Sequence, residues 1–152
     1  MKPAAEQSRS GVVGVLATSG TIASDKFLNL QSRFSDRVQI LTRAGTGLVE
    51  LIEQPHYDDT AMLSLLRSLI APMQDQGADT LVLGCTHFSL LRTSLQRVFS
   101  GAELIDSSKG IAERVAALAE KRLDYSGDNA FYVTAQFGPP QAFLERYGLN
   151  EA

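Results

Sequence analysis

DTLVLGCTHF, at residues 79–88, joins an apolar run to a turn of reactive side chains. The run ends at Gly84, and Cys85, the only cysteine of the chain, follows at once with a hydroxyl and an imidazole behind it. A short apolar run of this kind indicates a strand that is buried on both faces. In open α/β sheets, ligands bind beyond the carboxyl ends of the strands. The segment therefore predicts a strand that delivers Cys85, Thr86 and His87 to the start of a helix.

The rest of the chain alternates between strand and helix patterns, which predicts an α/β fold with a mostly parallel sheet flanked by helices. Strands are expected at residues 11–17, 38–41, 80–83, 103–105 and 129–134. Apolar residues at helical spacing lie between them. The strand at 11–17 is followed by a hydroxyl-rich turn at 18–21. If the strands at 11–17 and 80–83 are neighbours, their two turns face one crevice.

The longest helical pattern begins near Asp59 and contains Pro72, which should kink the helix near its end. Its apolar stripe consists of Met62, Leu65, Leu66, Leu69, Ile70 and Met73. Later segments predict a helix with Ile111, Val115 and Leu118 on one face, a turn at 125–128 and a closing helix at 139–147.

The composition is that of an ordinary globular domain. The chain has 152 residues, 44% of them apolar and 20% charged, which is enough for one hydrophobic core. Its net charge of −3 provides no basic footprint for nucleic acid. No apolar run approaches the roughly 18 residues of a membrane helix, and residues 1–10 lack the apolar centre of a signal peptide. A lone cysteine favours a reducing compartment, so we expect a cytoplasmic protein with neither nucleic acid nor membrane as a partner.

Cys85 and His87 are the first candidates for chemistry. A helix start and a nearby imidazolium both favour the thiolate form of a cysteine. His87 can donate a proton, orient a substrate or tune the thiol. Each also has a purely structural interpretation, the cysteine as a packed strand end and the histidine as a hydrogen-bonded residue of the first helical turn. The position of Cys85 between Gly84 and Thr86 favours the chemical role.

The hydroxyls of Thr18, Ser19 and Thr21 form a second candidate site. Such a turn can bind a carboxylate through its N–H groups, or it can simply cap a helix. Residues 45–47, Gly-Thr-Gly, lack both the length and the lysine of a phosphate-binding loop. Asp106-Ser107-Ser108 is expected to cap a helix, and His56 to be a surface residue.

Metal binding is weakly supported by the sequence. Cys85 and His87 are one residue apart, but no second cluster supplies further ligands at zinc spacing. A Cys-His hydrolase would also need an orienting group and an oxyanion hole, which no motif identifies. We therefore expect no metal.

The segment at residues 83–88, LGCTHF, resembles the second-cysteine motif of the cofactor-independent glutamate racemases. The segment at 13–21 resembles the part of that family where two threonines, three apart, line the substrate site. Further segments resemble the family at residues 48–51, 104–107 and 143–148. The order and spacing agree over nearly the whole chain, whereas Ser108 stands where the family usually has glycine.

The resemblance implies one half of a two-domain architecture with the active site between the domains. The family's first domain carries an Asp-Ser turn and a first cysteine followed by Asn-Thr, and this chain has neither. Residues 2–5 resemble the linker that precedes the second domain. We therefore expect the C-terminal half of a glutamate racemase, as a fragment or as the product of a truncated reading frame.

This interpretation divides the chain into three parts. Residues 1–10 are expected to be a loose polar arm left from the linker, and residues 11–105 the α/β domain with the second cysteine. Residues 106–152 are expected to pack on the missing N-terminal domain. Because apolar faces without a partner usually find another surface, we expect a homodimer, with exchange of the C-terminal segment as one way to form it.

The resemblance also implies the chemistry, an isomerase reaction that supplies D-glutamate for peptidoglycan. Two cysteines on opposite faces of the substrate exchange the Cα proton without a cofactor. Cys85 would be the base for L-glutamate and the acid for D-glutamate, and His87 would assist it. The substrate's carboxylates would be held by Thr18, Thr21 and Thr86. Glu50 would lie near the amino group or near the residues that assist Cys85.

Two other functions remain open from the sequence. The chain can be a non-catalytic binding module that keeps the racemase fold, or a racemase of the same superfamily that acts on aspartate or another small acid. Because two-base chemistry needs two thiols, we also expect this chain to have no appreciable racemase activity alone.

Overall fold

The computed structural model describes residues 1–54 and 59–119. These residues form a four-stranded parallel sheet with helices on both faces, so the predicted α/β class is confirmed. The strands are β1 (Val12–Ala17), β2 (Gln39–Ala44), β3 (Thr80–Leu83) and β4 (Glu103–Ile105). The helices are α1 (Lys2–Gln7), α2 (Ser19–Ile22), α3 (Asp25–Ser32), α4 (Leu48–Glu53), α5 (Asp59–Gln74), α6 (Arg92–Val98) and α7 (Ser108–Ala119), and a 3₁₀ helix (Thr86–Leu91) precedes α6.

The strands lie in the order β2-β1-β3-β4, and all pairs are parallel. From β1 the chain first adds β2 on one side, then crosses over to add β3 on the other. The order therefore reverses between β1 and β3, and a crevice at the carboxyl ends is expected at this point. Val13 pairs with Thr80 and Leu16 with Leu83, which brings the carboxyl ends of the two strands level.

Helices cover both faces of β1. On one face Val13 packs with Ala4 of α1, and Val15 packs with Phe27 of α3. On the other face Gly14 has no side chain, and a Cβ placed there would lie 2.8 Å from the sulfur of Met73 in α5. The glycine thus lets α5 pack closely on the sheet.

The helix α5 follows the predicted apolar stripe. Its buried residues are Met62, Leu63, Leu66, Ile70 and Met73. Pro72 lies inside the helix, which ends two residues later at Gln74. Gly77 has a φ of +82°, the left-handed conformation that glycine adopts without strain, and here it turns the chain towards β3.

The first residues of the chain differ from the expected loose arm. Residues 2–7 form α1, and Ala4 is fully buried against the sheet. The sequence gives little indication of this helix, because the short polar segment KPAAEQ has too few apolar positions to show a period. The assignment of residues 1–10 as a linker remnant stays a prediction.

All four strands fall in one compact unit, whereas α7 falls in a second. On α7 the side chains of Ile111, Val115 and Leu118 are more than half exposed, at 57%, 59% and 55%. The predicted turn, strand and closing helix between residues 125 and 147 lie outside the described residues, as does His56. The boundary after residue 105 stays a prediction. Among the helices that the structure describes, none is long and apolar enough to cross a membrane.

Candidate active site

The candidate site lies where β1 and β3 end. The N–H of Gly84 donates to the carbonyl of Leu16 at 2.8 Å, which extends the pairing one residue beyond β3. A Cβ on Gly84 would lie 2.8 Å from the Cβ of Ala17, so the absence of a side chain allows this close approach. Thr18 and Cys85 therefore leave the sheet from adjacent positions. The two strands are neighbours, as a shared crevice requires.

The turn after β1 holds two threonine hydroxyls together. The Oγ1 atoms of Thr18 and Thr21 are 2.9 Å apart, and the N–H of Thr21 donates to Thr18 Oγ1 at 3.3 Å, which caps α2. Both residues are half-buried. Since one hydroxyl proton is used between the two oxygens, the second is available for another acceptor. The capping and binding interpretations of this turn are therefore compatible.

The turn after β3 presents the thiol. Cys85 has an extended backbone, and the chain then enters the 3₁₀ helix rather than going directly into the expected α-helix. Cys85 and His87 are half-buried, and Thr86 is exposed. The N–H of Phe88 donates to the carbonyl of Cys85 at 3.1 Å. A half-buried thiol at this edge is accessible in part, unlike a cysteine that only fills the core.

The turn after β2 contacts the turns that follow β1 and β3. The N–H of Gly45 donates to the carbonyl of Ala17 at 2.8 Å, and the ring of Phe88 covers the face of Gly45. Phe88 itself is fully buried. This turn leads into α4, whose first turn carries Glu50 with an exposed side chain. The structure thus brings the turns after β1, β2 and β3 together. The role of Glu50 in binding stays a prediction.

An ion pair that was not apparent from the sequence connects the start of α6 to the residues that follow β4. The Nη2 atom of Arg92, at the start of α6, lies 3.0 Å from Asp106 Oδ2 and donates to the carbonyl of Leu104 at 3.3 Å. The sequence suggested Asp106 only as part of a helix cap. In the structure α7 begins at Ser108, and the carboxylate of Asp106 pairs with Arg92.

The structural role of Asp79, whose carboxylate lies at the opposite, amino-terminal edge of the sheet, was also not apparent from the sequence. Asp79 accepts hydrogen bonds from Ser8 Oγ at 2.7 Å, from the N–H groups of Arg9 and Ser10 at 2.8 Å, and from Thr80 Oγ1 at 3.0 Å. Burial raises the pKa of Asp79, but these hydrogen bonds outweigh it and lower the pKa to about 2. Asp79 therefore fixes the turn through which the chain enters β1.

A cavity of about 340 Å³ adjoins Asp79. Its lining residues are Gln7, Arg9, Asp79, Thr80, Gly101 and Glu103. They belong to the amino-terminal edge of the sheet, whereas the thiol and the threonine pair lie at the carboxyl edge. We place the candidate active site at the carboxyl edge because the reactive side chains converge there. Within residues 1–54 and 59–119, no group of three or more His, Cys, Asp or Glu side chains is arranged to hold a metal ion.

The thiol and the paired hydroxyls lie at the switch point of a parallel α/β sheet, where ligands bind in folds of this class. The family model described as Asp/Glu/Hydantoin racemase matches residues 1–115, and the chain belongs to this family. This confirms the resemblance to glutamate racemases that the motifs indicated. The assignment to the second half of such an enzyme stays a prediction.

Several glutamate racemases are similar to this chain. It is 43% identical over 145 residues to that of Stutzerimonas stutzeri, covering 93% of this chain and 54% of the relative. It is 42% identical over 149 residues to that of Ralstonia nicotianae, covering 95% and 54%. The crystal structure of Escherichia coli glutamate racemase in complex with L-glutamate and the activator UDP-MurNAc-ala matches with a TM-score of 0.81 and 34% identity, over 97% of this chain and 59% of that one. The chain thus spans about half the length of these relatives.

Proposed function

We propose that this chain is the second-cysteine half of a glutamate racemase, an isomerase that interconverts L- and D-glutamate without a cofactor. The observation that supports the proposal is the parallel pairing of β1 with β3. The Thr18–Thr21 pair follows one of these strands and Cys85 the other. The glutamate racemases at 42–43% identity support the substrate, as does the related E. coli structure with L-glutamate. The proposed role is the supply of D-glutamate for peptidoglycan in the cytoplasm.

In the proposed mechanism, Cys85 acts on one face of the substrate. As a thiolate it removes the Cα proton of L-glutamate, and the electron pair of the broken C–H bond passes into the carboxylate group. A thiol from the other half of the enzyme donates its proton to the opposite face, so the product is D-glutamate. Cys85 is then a thiol and the other cysteine a thiolate, ready for the reverse reaction. His87 assists by exchanging a proton with Cys85.

The threonines hold the substrate in this proposal. A hydroxyl proton of the Thr18–Thr21 pair donates to a carboxylate oxygen, and exposed Thr86 supplies a second hydroxyl. Charge that develops on the carboxylate after proton loss is stabilised by donors that are already in place. Glu50 attracts the ammonium group from the start of α4.

The proposed partner of this chain is an N-terminal racemase domain that supplies the other cysteine. The coverage of about half of each relative supports this requirement. We also propose that the chain forms a homodimer when that domain is absent, since α7 exposes a row of apolar side chains. Exchange of the C-terminal segment is one way to form this dimer.

Reconstitution tests the proposed function. The full chain is mixed with a separately produced N-terminal half of the S. stutzeri glutamate racemase, and conversion of L- to D-glutamate is followed by circular dichroism. We expect turnover only in the mixture, and none when Cys85→Ala replaces the native chain. Turnover by this chain alone that is lost in Cys85→Ala would contradict the requirement for two halves.

The same mixture distinguishes the other functions. Racemisation of aspartate with glutamate left unchanged would identify the related racemase instead. A non-catalytic binding module that keeps the racemase fold is the second candidate. For that module we expect chemical-shift changes at Thr18 and Thr21 on titration with glutamate but no turnover in any mixture.

A further inference from the structure

Phe88 is a core residue that directly follows the candidate site residues in the sequence. It follows His87 directly and is fully buried. Its ring fills the space in which any residue other than glycine at position 45 would carry a side chain. A Cβ built on Gly45 would lie 2.5 Å from Phe88 Cζ and 2.9 Å from Phe88 Cε2, closer than real Cβ contacts.

The contact between Phe88 and Gly45 connects the turn that carries Cys85 to the end of β1. The N–H of Phe88 donates to the carbonyl of Cys85, and the N–H of Gly45 donates to the carbonyl of Ala17. The pairing of β3 with β1 ends with the hydrogen bond from Gly84, so Cys85 itself lies beyond the ladder. The position of its turn relative to Ala17 then depends on the packing of Phe88 against Gly45.

We infer that Phe88 is a positioning residue for the thiol. Its ring, packed on Gly45, holds the turn of Cys85 and His87 at the end of β1, so that Cys85 stays half-buried. That this placement serves racemisation rests on the proposed function. The placement itself follows from the packing and is tested without the reaction.

The single cysteine gives a direct readout, because any thiol reagent that modifies the folded chain reports on Cys85 alone. We compare the rate of alkylation by iodoacetamide in the native full chain and in Phe88→Leu, together with their melting temperatures. Leucine lacks the outer ring atoms that contact Gly45. We expect alkylation to be faster by roughly threefold or more, because the turn opens locally more often.

Phe99→Leu is the matched control. Phe99 is a second buried phenylalanine, 5% exposed, at the end of α6 and away from the turn. It should lower the melting temperature by a similar amount and leave the alkylation rate unchanged. If Phe88→Leu and Phe99→Leu accelerate alkylation equally, Phe88 only contributes to general stability and the inference is wrong.

Gly45→Ala disturbs the same contact from its other side. The added methyl group must displace the Phe88 ring and also the flexible end of the Leu48 side chain, whose Cδ1 atom would lie 2.8 Å away, so we expect faster alkylation. Gly110→Ala, with open space around it, should have no effect. In the double variant Gly45→Ala/Phe88→Leu the methyl group still meets Leu48 but no longer meets the outer ring atoms of Phe88. The combined acceleration should therefore be smaller than the product of the two single effects.

The outcomes separate the inference from the proposed function. Multiplicative effects in the double variant, or an unchanged rate in Gly45→Ala, would overturn the positioning role. If the alkylation results are as expected but reconstituted mixtures never convert glutamate, the proposed function fails while the positioning role of Phe88 stands. If mixtures are active, Phe88→Leu should lower kcat more than it changes KM, and Phe99→Leu should leave both unchanged.

Discussion

The two threonines after β1 show how ordinary residues gain a specific chemistry through one hydrogen bond. Alone, each hydroxyl is a helix-capping group. Held 2.9 Å apart, the Oγ1 atoms of Thr18 and Thr21 use one hydroxyl proton between them, which leaves the other proton for a further acceptor. The sequence predicted the residues and their turn, but it could not show that the two side chains bond to each other.

The Thr18 hydroxyl should contribute to both stability and binding. Thr18→Val keeps the shape of the side chain but removes the cap of α2 and the bond to Thr21. We expect a loss of about 1 kcal/mol in the free energy of unfolding by urea, and a raised KM for glutamate in the reconstituted enzyme. Thr18→Ser retains the hydroxyl and should stay near the native values. Equal behaviour of the two variants would show that the hydroxyl is unimportant.

Asp79 should make stability depend on pH at the acid end. Its pKa is about 2 in the folded protein against an ordinary value of 3.8. The carboxylate therefore stabilises the fold fully above pH 3.8, and this contribution disappears as the pH falls through 2. Solvent screening near the surface reduces the effect to the order of 1 kcal/mol.

Asp79→Asn tests this contribution. The amide replaces one acceptor oxygen with an NH₂ group, which faces donors from Ser8 and Thr80 or from the backbone of Arg9 and Ser10. We expect the variant to be less stable than the native chain at pH 7, and the difference to be much smaller near pH 2, as measured by urea unfolding. A difference that is the same at both pH values would contradict the assigned role.

At the scale of elements, the alternating pattern was sufficient to predict the fold. The strands at residues 80–83 and 103–105 agree with β3 and β4, and the apolar stripe of α5 was visible as a period. The exceptions are short elements. In α1 the single fully buried position, Ala4, carries no periodic information, and the 3₁₀ helix after Cys85 has the same apolar residues as the α-helix that was expected.

Contacts between residues that are far apart in the sequence could not be predicted either. Asp79 binds residues 69 to 71 positions away, and Arg92 pairs with a carboxylate 14 positions away. No local pattern encodes such partners. The glycine at position 84 was recognised as the end of a strand, but its closeness to Ala17 depends on the strand order.

Gly84 should be intolerant of a side chain because it lies between two elements. In Gly84→Ala the new Cβ would approach the Cβ of Ala17 to 2.8 Å, where neither atom belongs to a flexible chain end. We expect the ends of β1 and β3 to separate, at a cost of about 1–3 kcal/mol in the free energy of unfolding. Gly110→Ala on α7 serves as the control, and equal stability of the two variants would contradict the account.

At the scale of the whole molecule, the chain carries one thiol of a reaction that we propose to need two. The chain belongs to the Asp/Glu/Hydantoin racemase family and spans about half the length of the two relatives described above. The sequence motifs predicted the family.

The apolar row on α7 should promote self-association. We expect the chain alone to sediment as a dimer at micromolar concentrations, and Val115→Glu, which places a charge in the middle of the row, to shift it towards monomer. Ala116→Glu adds the same charge to the same helix outside the row and should leave the dimer intact. A monomer at all concentrations, or equal effects of both variants, would count against this surface.

The central position of β1 also has a consequence for the order in which the protein is made. Its pairing with β3 joins segments further apart along the chain than any other pairing in the described sheet. Closing so long a loop is slow relative to local contacts. During synthesis β1 and β2 emerge first, and the crevice exists only after residues 80–83 have left the ribosome. Substitutions that slow this closure would reduce the yield of competent protein without altering any side chain of the site.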